Sequence, residues 1–222
     1  MMQRGIFITG TDTGVGKTYV AAGIASVLAL NGVNVGVMKP AETGCTIRAG
    51  RLVPKDALRL MKAAGARDSL DLVNPYRFRN PLAPSVAAEL EGKEIGVDTI
   101  VNAYRILSER YDFMIVEGAG GIMVPLSQTV TYRDLAQVLG LPVLIVARPG
   151  LGTINHTVLT VTALREQNVP VAGIVINYAD GGKAGLAEKT SPAMIEKLSR
   201  VDILGTVPYK SKSFTTIADR LM

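Results

Sequence analysis

Sulfur and imidazole chemistry have almost no material in this chain. Cys45 is the single cysteine and His156 the single histidine among 222 residues. An intramolecular disulfide and a multi-cysteine or histidine metal cluster are therefore excluded, and the cysteine usage fits a reducing cytoplasm. No apolar run is long enough to span a bilayer, so no membrane partner is expected. Ahead of the first strand there is no charged segment followed by a long apolar run, so no secretory leader is expected either. Blocks of like charge are missing too. The net charge is +5, but Lys and Arg are scattered, and acidic small molecules such as nucleotides account for the balance as well as a nucleic acid would. Without linkers, repeats or low-complexity tracts, one domain over residues 1–222 is expected.

What is present is a set of buried apolar strands that run into polar or glycine-rich junctions. Hydrophobic residues make up 48% of the chain and charged residues 19%, which suits a sheet covered on both faces. The first junction is the most informative. Ile6-Phe7-Ile8 leads into Gly10-Thr11-Asp12-Thr13-Gly14-Val15-Gly16-Lys17-Thr18, and residues 19–30, beginning with Tyr19, read as an apolar helix. A strand, a glycine loop and a helix in that order wrap backbone N–H groups around phosphate oxygens and aim a positive dipole end at them. Lys17 supplies an ammonium for the outer phosphates, and Thr18 a hydroxyl for Mg²⁺. The first glycine falls one place early, so Thr11 stands where the usual pattern has glycine.

Residues 33–38 read as the second strand, ending at Lys39-Pro40. Proline cannot continue a ladder, which puts Lys39 on the carboxyl edge, where open α/β sheets bind ligands. Residues 40–53, with Glu42, Thr43, Gly44 and Cys45, read as a polar loop, and residues 54–64 as a helix with Asp56 in its first turn. On spacing alone, Asp56 either favours the helix dipole or faces Mg²⁺. Residues 74–83 are punctuated by prolines, with Arg77 and Arg79 as surface charges. Residues 84–90 and 97–110 follow as helices.

Residues 112–116 form a buried strand that runs into Glu117-Gly118-Ala119-Gly120-Gly121. A carboxylate at a strand tip, followed by glycines, is placed like the acidic group that steadies Mg²⁺ beside a phosphate loop. The alternative is a tight turn with a solvated Glu117. Residues 132–139 read as a helix, 142–147 as a strand and 153–167 as a helix, whose start after Arg148-Pro149-Gly150-Leu151-Gly152 is suited to a second anion such as a carboxylate. His156, inside that helix, reads as structural. Residues 171–176 form a strand ending at Asn177-Tyr178, where an amide can read a purine edge or simply make a turn. A loop over residues 180–183, a helix over 191–200, a last strand over 203–207 with its exit Pro208-Tyr209, and a short helix over 218–222 complete the chain.

Strands alternate with helices throughout, so the expected fold is α/β. The expectation is a doubly wound, mainly parallel sheet with helices on both faces, of P-loop NTPase type. The motifs all follow strands and meet on one edge.

In these motifs the chain resembles dethiobiotin synthetases. The resemblance rests on Gly10-Thr11-Asp12-Thr13 with Val15-Gly16-Lys17-Thr18, Lys39-Pro40 with Thr43-Gly44, and Glu117-Gly118-Ala119-Gly120-Gly121 with Pro125-Leu126. Leu151-Gly152-Thr153-Ile154-Asn155-His156 and Gly173 with Asn177 complete it. It runs nearly end to end. It implies an ATP-dependent cyclo-ligase that converts 7,8-diaminononanoate and CO₂, or bicarbonate, into dethiobiotin with ATP as co-substrate and Mg²⁺ as cofactor. The implied course passes through a carbamate and a carbamic-phosphoric anhydride. Lys17 and Lys39 are then catalytic, and Thr18, Asp56 and Glu117 hold Mg²⁺. Gly14, Val15, Gly16, Lys17, Thr18 and Tyr19 cradle the phosphates, with Gly118, Ala119 and Gly120 beside them. Asn177, Tyr178, Val207, Pro208 and Tyr209 flank the base. Thr13, Lys39 and Thr43 meet the diamine end, while Gly152, Thr153, Ile154 and Asn155 of the other subunit receive the substrate carboxylate, which implies a homodimer. The chain departs from the family in having Ser85 where many members carry histidine and Tyr209 where many carry tryptophan. The rival reading is a partitioning-type ATPase switch of the same fold, but those carry a loop lysine where this chain has Asp12.

Overall fold

A six-stranded sheet, its inner strands almost wholly buried on both faces, makes the centre of the molecule. In the computed structural model, residues 5–181 and 185–222 are described; Met1, Met2, Gln3 and Arg4, and Gly182 and Lys183 of the loop read over 180–183, lie outside them. Strand β1 (Gly5–Gly10) is buried throughout and passes through the glycine loop into α1 (Lys17–Leu30). Next come β2 (Val35–Met38), β3 (Ala41–Glu42), β4 (Thr46–Arg48) and β5 (Arg51–Val53). Helices α2 (Lys55–Ala64) and α3 (Leu70–Val73) precede β6 (Tyr76–Arg77), and α4 (Pro84–Leu90) and α5 (Val97–Ser108) follow it. The second half alternates regularly: β7 (Phe113–Gly121), α6 (Tyr132–Val138), β8 (Val143–Ala147), α7 (Thr153–Glu166), β9 (Val171–Asn177), α8 (Leu186–Ser199), β10 (Ile203–Val207) and α9 (Thr215–Asp219).

The main sheet has the order β10-β9-β8-β1-β7-β2, and every neighbouring pair is parallel. Alternate side chains along each strand feed two separate cores. Phe7, Met114, Val116 and Ile145 face the helices α5 to α8, whereas Ile6, Ile8, Ile115 and Val146 face α1, α2 and α9. The doubly wound fold is the one expected. Because the chain builds β2 and β7 on one side of β1 and β8 to β10 on the other, the carboxyl end of β1 is a switch point, where a crevice opens.

Three readings of local structure need correction. Residues 40–53 are more than a polar loop: β4 and β5 pair as an antiparallel hairpin, and β3 pairs with β6. Those strands are two or three residues long, and β4 is exposed throughout, so no apolar alternation announces them. Helix α8 starts at Leu186, ahead of residue 191, because the Glu188 carboxylate accepts the Gly185 N–H at 2.9 Å and closes the first turn. The last helix spans Thr215–Asp219, earlier than residues 218–222, since Ile217 and Ala218 must reach the core under β10.

Candidate active site

At the switch point the glycine loop closes on itself. Gly10 has no room for a side chain, since a Cβ would lie 2.8 Å from the Asp12 carbonyl and 2.9 Å from Lys17 Nζ. Gly16, with φ of 90°, is the N-cap of α1, and no side chain caps that helix, so its first amides remain free for an anion. Lys17 folds back over the loop and donates to the Asp12 carbonyl at 3.1 Å. Burial, and then the charge of Lys39, draw its pKa down to about 8 against the opposing pull of Glu117, Asp56 and Asp12.

Lys39 arrives from the end of β2 and enters the same space. Its Nζ lies 2.5 Å from Glu117 Oε1, 3.1 Å from the Gly118 carbonyl and 3.2 Å from Asp56 Oδ2. Burial alone would lower its pKa, but Glu117 and Asp56 outweigh that and hold the ammonium above its ordinary range. Thr18 Oγ1 donates to the same Glu117 Oε1 at 2.7 Å. Glu117 is fully buried and lies within β7, paired with Ile8. The reading of Glu117 as a strand tip is therefore corrected, because the glycines after it continue the strand to Gly121. A tight turn with a solvated carboxylate is ruled out.

These groups line one cavity of about 600 Å³ with Thr13, Thr43, Ala119 and Gly120. Among the described residues, no three His, Cys, Asp or Glu side chains gather as a metal centre. The donors here are two carboxylates and a hydroxyl, hard oxygens of the kind Mg²⁺ takes along with several waters. Glu117 Oε2 is buried without a hydrogen-bond partner among the described residues, a lone pair that a cation would satisfy. The residues fit the ion.

A second cavity of about 300 Å³ lies across the loop, where Thr13, Gly14 and Val15 meet Tyr178 and Arg148. Asn177, the last residue of β9, directly precedes Tyr178 of that lining. Its Nδ2 donates to the Val15 carbonyl at 2.8 Å, while Oδ1 is buried and has no partner among the described residues. The amide donor is thus committed to the phosphate loop. Val207 is fully buried in the core, so its side chain cannot flank a base. Pro208 and Tyr209 are exposed and line neither cavity. Gly152, Thr153, Ile154 and Asn155 line neither cavity as well; Thr153 is buried and Asn155 exposed.

Two charged residues of the first cavity were not singled out as site residues. Glu42, read as part of the polar loop, is 6% exposed and hydrogen-bonds the start of α2. Arg59 lies one turn beyond Asp56 and stacks over the Tyr19 ring at 5.2 Å. The i, i+3 spacing from Asp56 is the one sequence signal that would have placed Arg59 on the cavity side.

A family model described as an AAA domain matches residues 4–214. The ATP-dependent dethiobiotin synthetase BioD of Thermodesulfovibrio yellowstonii is 45% identical over 215 residues, covering 94% of this chain and 90% of that protein. The chain belongs to the dethiobiotin synthetase family. A second member, from Methanocaldococcus jannaschii, is 45% identical over 91% of this chain and 92% of its own length. Among solved structures, the cell division ATPase MinD of Pyrococcus furiosus matches with a TM-score of 0.61 at 16% identity, covering 99% of this chain and 98% of that one. A ParA family ATPase from Chlorobium tepidum matches with a TM-score of 0.58 at 18% identity, covering 99% and 97%. At such identities these two speak to the P-loop fold alone, while dethiobiotin synthetases share sequence along nearly the whole chain.

Proposed function

We propose that this dethiobiotin synthetase family member joins CO₂ to 7,8-diaminononanoate and closes the ureido ring of dethiobiotin at the expense of ATP. The observation that carries the reading is the meeting of Lys17, Lys39, Thr18, Asp56 and Glu117 in one cavity at the end of β1. One amine of the diamine adds to CO₂ and loses a proton, giving a carbamate. A carbamate oxygen attacks the γ-phosphorus, and ADP leaves. The second amine then attacks the carbamoyl carbon of the mixed anhydride, and phosphate departs. Each step redistributes negative charge, so positioning and fixed cations are the protein's main contribution.

Gly14, Val15, Gly16 and the start of α1 offer free amides to the phosphates, and Lys17 lies across them. Lys39, held charged, faces the transferring phosphoryl group and the carbamate. Thr13 and Thr43 border the place where the diamine end would lie. Thr18, Asp56 and Glu117 would hold Mg²⁺, which when bound neutralises the outer phosphates. The Oδ1 of Asn177, without a partner among the described residues, supports a contact with an exocyclic amine, and Tyr178 adds an aromatic surface beside it.

A homodimer accounts for Gly152, Thr153, Ile154 and Asn155, which lie outside the cavity of their own chain. Leu151 and Leu159 flank them, 85% and 59% exposed. In this arrangement the start of α7 receives the carboxylate of a substrate bound to the partner. We place the enzyme in the cytoplasm, with no nucleic acid or membrane as partner, because the proposed reaction involves only small water-soluble molecules.

The test is phosphate release and product mass with ATP, Mg²⁺, bicarbonate and the diamine. Release should require both the diamine and bicarbonate, and the product should have the mass of dethiobiotin. Steady ATP hydrolysis indifferent to both would favour a nucleotide switch and overturn the proposal.

A further inference from the structure

Asp56 is the most exposed of the three oxygen donors, at 43%, and it stands on the first turn of α2. The N-cap residue of that helix is Pro54, which makes no side-chain capping bond. Left alone, such a start would have amides without partners. Glu42 supplies them from β3: its Oε1 accepts the Asp56 N–H at 2.9 Å, and its Oε2 accepts the Ala57 N–H at 2.9 Å. These are the second and third amides of the helix, one or other of which an N-cap side chain ordinarily binds.

Lys39, just past β2, and Glu42, the last residue of β3, stand three residues apart, and both end on Asp56. Lys39 meets its carboxylate and Glu42 its amide. A carboxylate suits this place because both its oxygens accept and its charge complements a helix start. It also brings a second negative charge towards Asp56, an arrangement that Lys39 offsets and that stability alone does not favour. We propose that Glu42 is a positioning residue for the metal site, fixing the first turn of α2 so that the Asp56 carboxylate is presented to the cavity beside Glu117. The proposal rests on the reading of Thr18, Asp56 and Glu117 as Mg²⁺ ligands.

The experiment measures Mn²⁺ binding by electron paramagnetic resonance, with a non-hydrolysable ATP analogue present, for the native enzyme, Glu42→Gln, Asp56→Asn and the double variant. Glu42→Gln should weaken Mn²⁺ about 5- to 10-fold, and Asp56→Asn at least as much. The double variant should bind no more weakly than Asp56→Asn, because one residue acts through the other. Binding of the analogue without metal should change less than about twofold. Glu42→Asp, a methylene too short to reach both amides, should weaken Mn²⁺ similarly and carries the same measurement if Glu42→Gln does not fold. A purely structural role would lower the melting temperature and leave Mn²⁺ affinity of the folded enzyme unchanged. An effect of Asp56→Asn with none from Glu42→Gln or Glu42→Asp would overturn the role of Glu42 alone. No effect from Asp56→Asn would overturn the reading of the metal site beneath it. Losses that multiply in the double variant would overturn positioning.

Discussion

Lys39 and Glu117, 78 residues apart in the chain, meet Nζ to Oε1 at 2.5 Å where neither is more than 3% exposed. Removing one partner of such a pair leaves the other charge buried and uncompensated, which costs about 3–5 kcal/mol. Lys39→Met, which leaves the Glu117 charge buried alone, should lower stability on that scale in urea titrations; Glu117→Gln should cost less, because Asp56 still faces Lys39 at 3.2 Å, and the double variant should recover a large part of the Lys39→Met loss. Lys39→Met should also keep its ATP affinity and lose about 10²- to 10³-fold in kcat, because its cation acts mainly on developing charge. Equal turnover in the variant would remove Lys39 from the chemistry.

Glu117 offers Oε1 to both Thr18 and Lys39 and leaves Oε2 without a partner among the described residues. Glu117→Gln should therefore raise the Mg²⁺ concentration for half-maximal rate roughly tenfold or more. A titration that superimposes on the native one would make Glu117 only the counter-ion of Lys39.

Gly14 and Gly16 lie two residues apart with φ of 79° and 90°, yet their surroundings differ. A Cβ on Gly14 meets nothing within 4 Å, whereas one on Gly16 would fall inside contact distance of Asn177 Nδ2. Gly14→Ala should cost about 1–2 kcal/mol of backbone strain and weaken ATP less than Gly16→Ala does. Gly16→Ala should pay the same strain, displace Asn177 from Val15 and weaken ATP about a hundredfold or more by calorimetry. Matching affinities for the two variants would contradict the packing of Asn177 on the loop.

Burial, and then the nearby Glu42, raise the Cys45 thiol to about 11. At pH 8 about one molecule in a thousand carries the reactive thiolate. Alkylation by iodoacetamide at pH 8 should be about a hundredfold slower in the native enzyme than in urea. It should rise about tenfold per pH unit up to about pH 10. Since the native thiol keeps its proton longer than the unfolded one, this group also withdraws stability as pH climbs from 9 towards 11. Fast, pH-independent labelling of the native protein would show that the thiol is open.

Much of the fold was legible because buried parallel strands are written as continuous apolar runs. Residues 6–8, 112–116, 142–147 and 171–176 could hardly be read otherwise. The β4–β5 hairpin escaped notice because three residues a side, exposed in β4 and at most half-buried in β5, carry no such pattern, and its Ala49-Gly50 turn is formed by two positive-φ residues, one of them an alanine. Lys17, Thr18, Lys39 and Glu117 were found for a different reason: each stands next to a strand end or a glycine run, and those positions share one edge of the sheet. Arg59 and Glu42 lacked that marker.

The amino-acid order by itself determined which segments form the six strands of the main sheet, that they alternate with helices, and therefore which edge gathers the phosphate loop, the lysine and the carboxylates. Only the tertiary structure decided how those side chains pair: that Glu117 lies inside its strand, that Asn177 gives its amide to Val15, and that Glu42 closes a helix fourteen residues away. Strand and helix follow from local periodicity. Pairings across 14, 78 or 162 residues follow from which crossovers bring two segments to the same place, and from the cost of leaving a buried charge or amide without a partner.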